Sequence, residues 1–276
     1  MNHIILKDRD ITVMGILNLT PDSYFAESRC MGADGNIDLG QVREKIRKMF
    51  ADGAGIVDIG ACSTRPGAEL PDEDEEWRRL SVLMPVLRKE FPGGIFSVDT
   101  FRSGIVRKCF EAIGNFIVND ISAGEDDPKM LETVGKLGLT YVAMHKKGTP
   151  SDMQERCSYG DVTEDVLAYF RDFAVRADNA GITDWILDPG FGFAKTVEQN
   201  WQLMRELDRF SGQGRKVLVG ISRKSMIYKA LGITPEEALP QTQAAHLAAL
   251  ERGADILRVH DVAEAVRTVR LYRMLQ

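Results

Sequence analysis

The sequence predicts an α/β fold, a single-domain (β/α)8 TIM barrel over residues 1–276, and three observations predict it. Short Ile- and Val-rich runs alternate with helical stretches along the whole chain, no low-complexity linker separates its halves, and nearly every run ends in a polar residue. The length of 276 residues is near the roughly 250 at which one such barrel forms a unit.

The apolar runs, in order, are Thr12 to Leu17, Gly55 to Ile59, Ile95 to Val98, Phe116 to Val118, Thr140 to Met144, Trp185 to Leu187, Lys216 to Ile221 and Asp255 to Val259. They are continuous rather than alternating, as in parallel strands covered by helices on one face and by the core on the other. Helical patterns lie between them, including Leu39 to Ala51, Glu73 to Glu90, Val162 to Ala180, Val197 to Arg209 and Ala263 to Leu275. Gly53, Gly138, Gly181 and Gly253 stand where a helix stops and the next strand begins.

The runs lead into Asn18, Asp58, Asp99, Asn119 with Asp120, His145, Asp188, Ser222 to Lys224, and Arg258 with His260. In a closed barrel these ends form one ring around one mouth, where catalytic residues belong. An open doubly wound sheet is the alternative architecture.

Hydrophobic residues make up 44% and charged residues 28%, the proportions of a globular protein with a large core. The net charge of -6 argues against a nucleic-acid-binding surface but leaves room for a basic pocket that takes a small anion. Cys30, Cys62, Cys109 and Cys157 include no close pair, so neither a zinc site nor a disulfide framework is expected. Lys7-Asp8-Arg9-Asp10 interrupts the start before any leader-like apolar stretch, and no segment reaches the roughly 20 apolar residues of a membrane span. A cytoplasmic setting without a membrane partner is expected.

Two loops at the expected mouth mix a proline with hydroxyl or charged side chains: Asn18-Leu19-Thr20-Pro21-Asp22-Ser23 and Ser63-Thr64-Arg65-Pro66-Gly67-Ala68. Helix capping and a solvated Arg65 are the plain readings of each loop; ligand contact is the functional one. Asp99, Asn119 and Asp188 end apolar runs and should point into the top of the barrel, although a single buried Asp is often structural. Asp188-Pro189-Gly190-Phe191-Gly192-Phe193 adds glycines and aromatics, which let a flat ring approach the backbone and lie against an apolar wall. A heterocycle with N–H groups on its edge suits carboxylate acceptors.

Gly220-Ile221-Ser222-Arg223-Lys224-Ser225 follows the seventh run and opens a helix, and Arg258-Val259-His260 ends the eighth. Loops after strands seven and eight commonly build a phosphate site, so these cations point to a phosphorylated substrate. A salt-bridge network with Asp255 and Asp261 is the alternative. No G-x-S-x-G elbow, Walker loop, H-E-x-x-H or dinucleotide fingerprint is present, and His3, His145, His246 and His260 have no metal-ligand spacing.

Taken in order, Met14 to Ser23, Ser63 to Ala68, Ser97 to Thr100, Asn119 to Gly124, Asp188 to Phe193, Gly220 to Met226 and Arg258 to Asp261 resemble the dihydropteroate synthases of the pterin-binding barrel superfamily over nearly the whole chain. The resemblance implies condensation of 6-hydroxymethyl-7,8-dihydropterin diphosphate with 4-aminobenzoate, giving 7,8-dihydropteroate and pyrophosphate. It implies that Asp188, Asn119 and Asp99 hold the pterin edge, that Lys224 bonds its ring oxygen and nitrogen, and that Met144, Phe193 and Gly220 border the ring.

By the same likeness, Asn18 binds Mg²⁺, Thr64, Arg258 and His260 join Asn18 at the diphosphate, and Arg65, Pro66, Phe193 and Ser225 shape the aminobenzoate site. Asn18, Thr64, Arg65, Lys224, Arg258 and His260 are then the catalytic set. A homodimer through helices near the chain's end is also implied, although the apolar positions of Ala263 to Leu275 could equally serve the core. The chain differs from the family pattern at Tyr24-Phe25-Ala26-Glu27, at Cys62 where a glutamate is common, and at Lys146 where methionine is usual. A corrinoid-linked methyltransferase and a catalytically silent pterin-binding protein are the rival readings.

Overall fold

The computed structural model of the chain describes residues 11–20, 37–62, 70–148 and 155–276. Among them, the strands are β1 (Thr12–Asn18), β2 (Ile56–Gly60), β3 (Phe96–Asp99), β4 (Ile117–Asp120), β5 (Thr140–Met144), β6 (Trp185–Asp188), β7 (Leu218–Val219) and β8 (Ile256–Val259). All are parallel to their neighbours, in the order β6-β5-β4-β3-β2-β1-β8-β7. The two ends of that order meet where Leu187 forms a parallel bridge to Val217, its amide donating to the Lys216 carbonyl at 2.9 Å. The sheet therefore closes into a (β/α)8 barrel, which removes the open-sheet alternative.

The helices around it are α1 (Leu39–Asp52), α2 (Glu73–Ser81), α3 (Met84–Glu90), α4 (Ser103–Ile113), α5 (Met130–Leu137), α6 (Val162–Ala180), α7 (Val197–Arg205), α8 (Asp208–Ser211), α9 (Ser225–Leu231), α10 (Leu239–Glu251) and α11 (Val262–Leu275). Gly53, Gly138 and Gly181 cap their helices in the left-handed region, as expected, and Gly253 takes that conformation one residue past the cap of α10.

Three expected elements are corrected. The stretch Glu73 to Glu90 is two helices, because Pro85 at the start of α3 has no N–H with which to continue the ladder of α2. The stretch Val197 to Arg209 divides at Glu206, whose φ of -110° and ψ of 21° leave the helical region. The seventh strand, expected over Lys216 to Ile221, is reduced to Leu218–Val219.

Strand periodicity places the site. Met14, Ile56, Ile117, Val142, Ile186, Leu218 and Ile256 form one buried layer inside the barrel, and each such side chain contributes about 1.5–3 kcal/mol by leaving water. Side chains two residues apart share a face of a strand. One step further toward the C-terminal ends, the same inner face therefore presents Asp58, Asn119, Met144, Asp188, Gly220 and Arg258, and two steps past Met14 it presents Asn18. The apolar layer below and the polar mouth above follow from a single period-two pattern. Val57, Ile59, Val98, Val118, Leu187, Val219 and Val259 occupy the opposite parity and pack in the outer core with the helices.

Candidate active site

The centre of the mouth is organised by Arg258 of β8. Its Nε donates to Oδ2 of Asp58 at 2.7 Å, and a terminal nitrogen donates to Oδ2 of Asp99 at 2.8 Å. The Asn119 amide also donates to Oδ2 of Asp58, at 3.1 Å. Asp58 is fully buried, and its other oxygen has no hydrogen-bond partner among the described residues. Burial works against the Arg258 cation, but Asp58 and Asp99 outweigh it and hold its pKa above the ordinary arginine value. Burial lifts Asp99 to about 7; Arg258 opposes the lift, while Asp58 and Glu76 add to it.

Beside this cluster, the turn after β6 brings Asp188 and Lys224 together. Asp188 accepts the Gly190 N–H at 2.8 Å, and Lys224 Nζ donates to the Phe191 carbonyl at 2.7 Å while lying 4.9 Å from the Phe193 ring centroid. Burial raises the Asp188 carboxyl against the pull of Lys224, and burial lowers Lys224 to about 8 against the pull of Asp188. The bare Gly220 joins the two halves: a Cβ there would stand 3.8 Å from Lys224 Nζ and 4.0 Å from Arg258 Cβ. Met144 is buried beside Asp188, its partner in the β5–β6 register.

At the opposite edge, a Cβ at Gly60 would lie 3.5 Å from Oδ1 of Asn18 and 3.7 Å from Oδ2 of Asp99, so two oxygens border one bare glycine. The Ser222 hydroxyl accepts the His260 N–H at 3.2 Å and contacts Nδ1 of its ring at 3.1 Å. Ser225 is half-buried at the start of α9, directly after Lys224. The structure thus gathers Asn18, Asp99, Asn119, Met144, Asp188, Gly220, Lys224 and Arg258 at the C-terminal ends of the strands, with Phe193 and His260 on the adjoining loops and Ser225 at the start of α9. Thr64, Arg65 and Pro66, together with Pro21 to Glu27, lie outside the described residues.

The salt-bridge alternative holds for Arg223 alone. Its guanidinium binds both oxygens of Asp261 at 2.8 and 2.9 Å and reaches the carbonyls of Pro235 and Glu236. Asp255 accepts the backbone N–H of Val217 and so braces the barrel seam. Two departures from the family pattern also have partners: Lys146 is buried and donates to Asp126 at 2.6 Å, and burial with Glu76 nearby pushes the Cys62 thiol up to about 11.

Asp58 stands in the ring of strand ends, where the sequence suggests no role for it. Its position two residues after Ile56 was the available signal. Lys195 is buried as well, and no local pattern announces it.

Carboxylates and an amide for ring N–H groups, an ammonium for ring acceptors, an aromatic wall and a cation from β8 make a site for a planar nitrogen heterocycle that carries an anion. Residues 14–260 match the family described as pterin binding enzyme. The chain is 37% identical over 263 residues to dihydropteroate synthase of Haemophilus influenzae, covering 95% of this chain and 92% of that one. It superposes on Yersinia pestis dihydropteroate synthase solved with a sulfonamide drug, with a TM-score of 0.89 and 35% identity over 96% of this chain and 94% of the other. The Thermus thermophilus dihydropteroate synthase solved with 4-aminobenzoate gives a TM-score of 0.83 and 35% identity over 97% and 95% of the two chains.

Proposed function

The chain belongs to the pterin-binding enzyme family, and from that membership we propose that it is a transferase that condenses 6-hydroxymethyl-7,8-dihydropterin diphosphate with 4-aminobenzoate, releasing pyrophosphate and forming 7,8-dihydropteroate for folate synthesis. The observation that carries the reading is that Arg258, bonded to Asp99, and Lys224 meet beside the bare Gly220, with Asn119 and Asp188 at the same level of the barrel's inner face.

Asp188, Asn119 and Asp99 take the N–H edge of the pterin, and Lys224 donates to its ring oxygen and nitrogen. Met144 and Phe193 lie against the ring. Arg258, His260 and Thr64 hold the diphosphate, and the carbon–oxygen bond from the pterin methylene to that group breaks as charge passes onto the leaving oxygens. The aminobenzoate nitrogen attacks the methylene and then loses its proton. An aromatic amine is already neutral at pH 7, so the site needs charge stabilisation more than a strong base. Arg65, Pro66, Phe193 and Ser225 shape the second substrate's place.

Mg²⁺ fits this chemistry. Asn18 Oδ1 and Asp99 Oδ2 border the same bare Gly60, and no group of three or more His, Cys, Asp or Glu residues suited to a metal occurs among the described residues. Magnesium commonly takes one or two protein oxygens and completes its shell with phosphate and water. Asn18 would hold the ion, which would supply positive charge to the departing diphosphate.

We also infer a cytoplasmic homodimer. One face of α11 is core, with Val262, Ala265 and Val269 buried, whereas Leu271, Met274 and Leu275 are exposed apolar residues that a second copy could cover. No helix among the described residues is long and apolar enough to cross a membrane. Purified protein supplied with Mg²⁺ and both substrates is expected to form dihydropteroate. Measurable pterin binding without product would favour the silent pterin-binding alternative.

A further inference from the structure

The turn between β6 and α7 carries Asp188, the Phe191 carbonyl and the Phe193 ring, and a residue outside the proposed chemistry fastens it. Lys195 is 3% exposed. Its Nζ donates to the carbonyls of Gly190 at 2.9 Å and Phe193 at 3.0 Å, and lies 3.0 Å from Nδ1 of His145, the residue that follows β5. His145 is buried, with Tyr169 meeting its ring edge-to-face at a centroid distance of 4.9 Å. Burial and the Lys195 charge keep it neutral, so Nδ1 accepts when the ring proton is on Nε2. Burial lowers the Lys195 pKa to about 7, and in its protonated form the ammonium has three N–H donors that all have protein acceptors here. Nothing remains for a ligand, so the group's work is internal.

The turn needs such a restraint. Ala194 has a φ of 50°, a left-handed conformation that costs a residue with a Cβ about 1–2 kcal/mol, and Gly190 and Gly192 are left-handed as well. Asn200 supplies a second fastening, accepting the Gly192 N–H at 2.7 Å and donating to the Lys195 carbonyl at 3.2 Å. These bonds set the Phe191 carbonyl that holds Lys224 and the ring that faces its ammonium.

We propose that Lys195 is a positioning residue of the pterin site, tying the Asp188–Phe193 turn to the end of β5 so that Lys224 and Phe193 are held in place before the substrate arrives. The inference rests on the reading of this turn as the wall of the pterin site. A lysine removed from water is costly to keep, and a buried side chain of similar length without charge would fill the same space. Its retention here goes with the two carbonyls and the imidazole nitrogen that it gathers.

Lys195→Met in the full-length enzyme tests the proposal through two readouts. The KM for dihydropterin diphosphate is expected to rise tenfold or more while kcat changes less than threefold, and amide hydrogen exchange over residues 188–195 should quicken at least tenfold without substrate. Lys195→Arg, which keeps donors for the two carbonyls, is expected to recover part of both effects, and it carries the test if the methionine variant does not fold. Unchanged KM and exchange would overturn the proposal, as would a loss of activity that only tracks a lower melting temperature. A parent protein that neither binds nor turns over the pterin would remove the functional reading instead, and the exchange result would still decide whether Lys195 anchors the turn.

Discussion

Arg258 and Asp58 meet at 2.7 Å across the head of the barrel, joining β8 to β2 over the end of the intervening β1. The same Asp58 oxygen holds Asn119, so one carboxylate sets a residue assigned to the diphosphate and another assigned to the pterin. Asp58→Ala leaves a largely buried cation with Asp99 alone and is expected to cost about 3 kcal/mol of stability, with weaker pterin binding. Urea unfolding checks it, and a midpoint equal to the parent's would refute the bracing role.

Asp188→Ala removes the acceptor assigned to the ring's donors. Pterin affinity should fall by about 1–3 kcal/mol, measured by calorimetric titration. Unaltered affinity would mean that the ring sits elsewhere.

Lys224→Ala is expected to damage pterin binding and rate with little change in melting temperature, because the side chain projects into the mouth. Its pH behaviour has two signs. The folded pKa is lowered by burial to about 8 from 10.5, so between those values the unfolded chain binds more protons and this group's contribution to stability increases with pH. Pterin affinity should move the opposite way, declining as pH rises through about 8 and the ammonium is lost. A binding profile flat from pH 7 to 9.5 would contradict the assignment.

Gly190→Ala would place a Cβ 1.9 Å from the His145 carbonyl oxygen at a residue whose φ is 71°. Neither atom belongs to a flexible side chain, so the turn must shift. A loss of at least about 1–3 kcal/mol is expected, together with weaker pterin binding. Wild-type stability and affinity in this variant would show that the turn tolerates movement.

The strands were legible because their apolar runs are short and continuous, and the mouth was legible because those runs end in polar residues. The split of α2 from α3 was written in Pro85, but the amphipathic pattern runs across it. The break at Glu206 has no glycine or proline to mark it. Asp58 could be placed at a strand end, yet its pairing with Arg258 spans 200 residues and depends on barrel closure, which local patterns do not encode. Lys195 reads as an ordinary surface lysine before the Thr196 cap; only the fold of the turn around it makes it internal. The roles assigned to Thr64, Arg65 and Pro66 rest on the motif, since these residues lie outside the described ones.

The ring of strands has a seam. Between β6 and β7 the ladder shrinks to the single bridge at Leu187 and Val217, whereas β1 and β2 are paired through five residues. A hoop parts most readily at its thinnest weld, so breathing of the barrel should concentrate there. Asp188 stands on one lip and Gly220 with Lys224 on the other, which makes the distance between the carboxylate and the ammonium assigned to the pterin the dimension most sensitive to such loosening. A ligand touching both would act as a rivet across the gap.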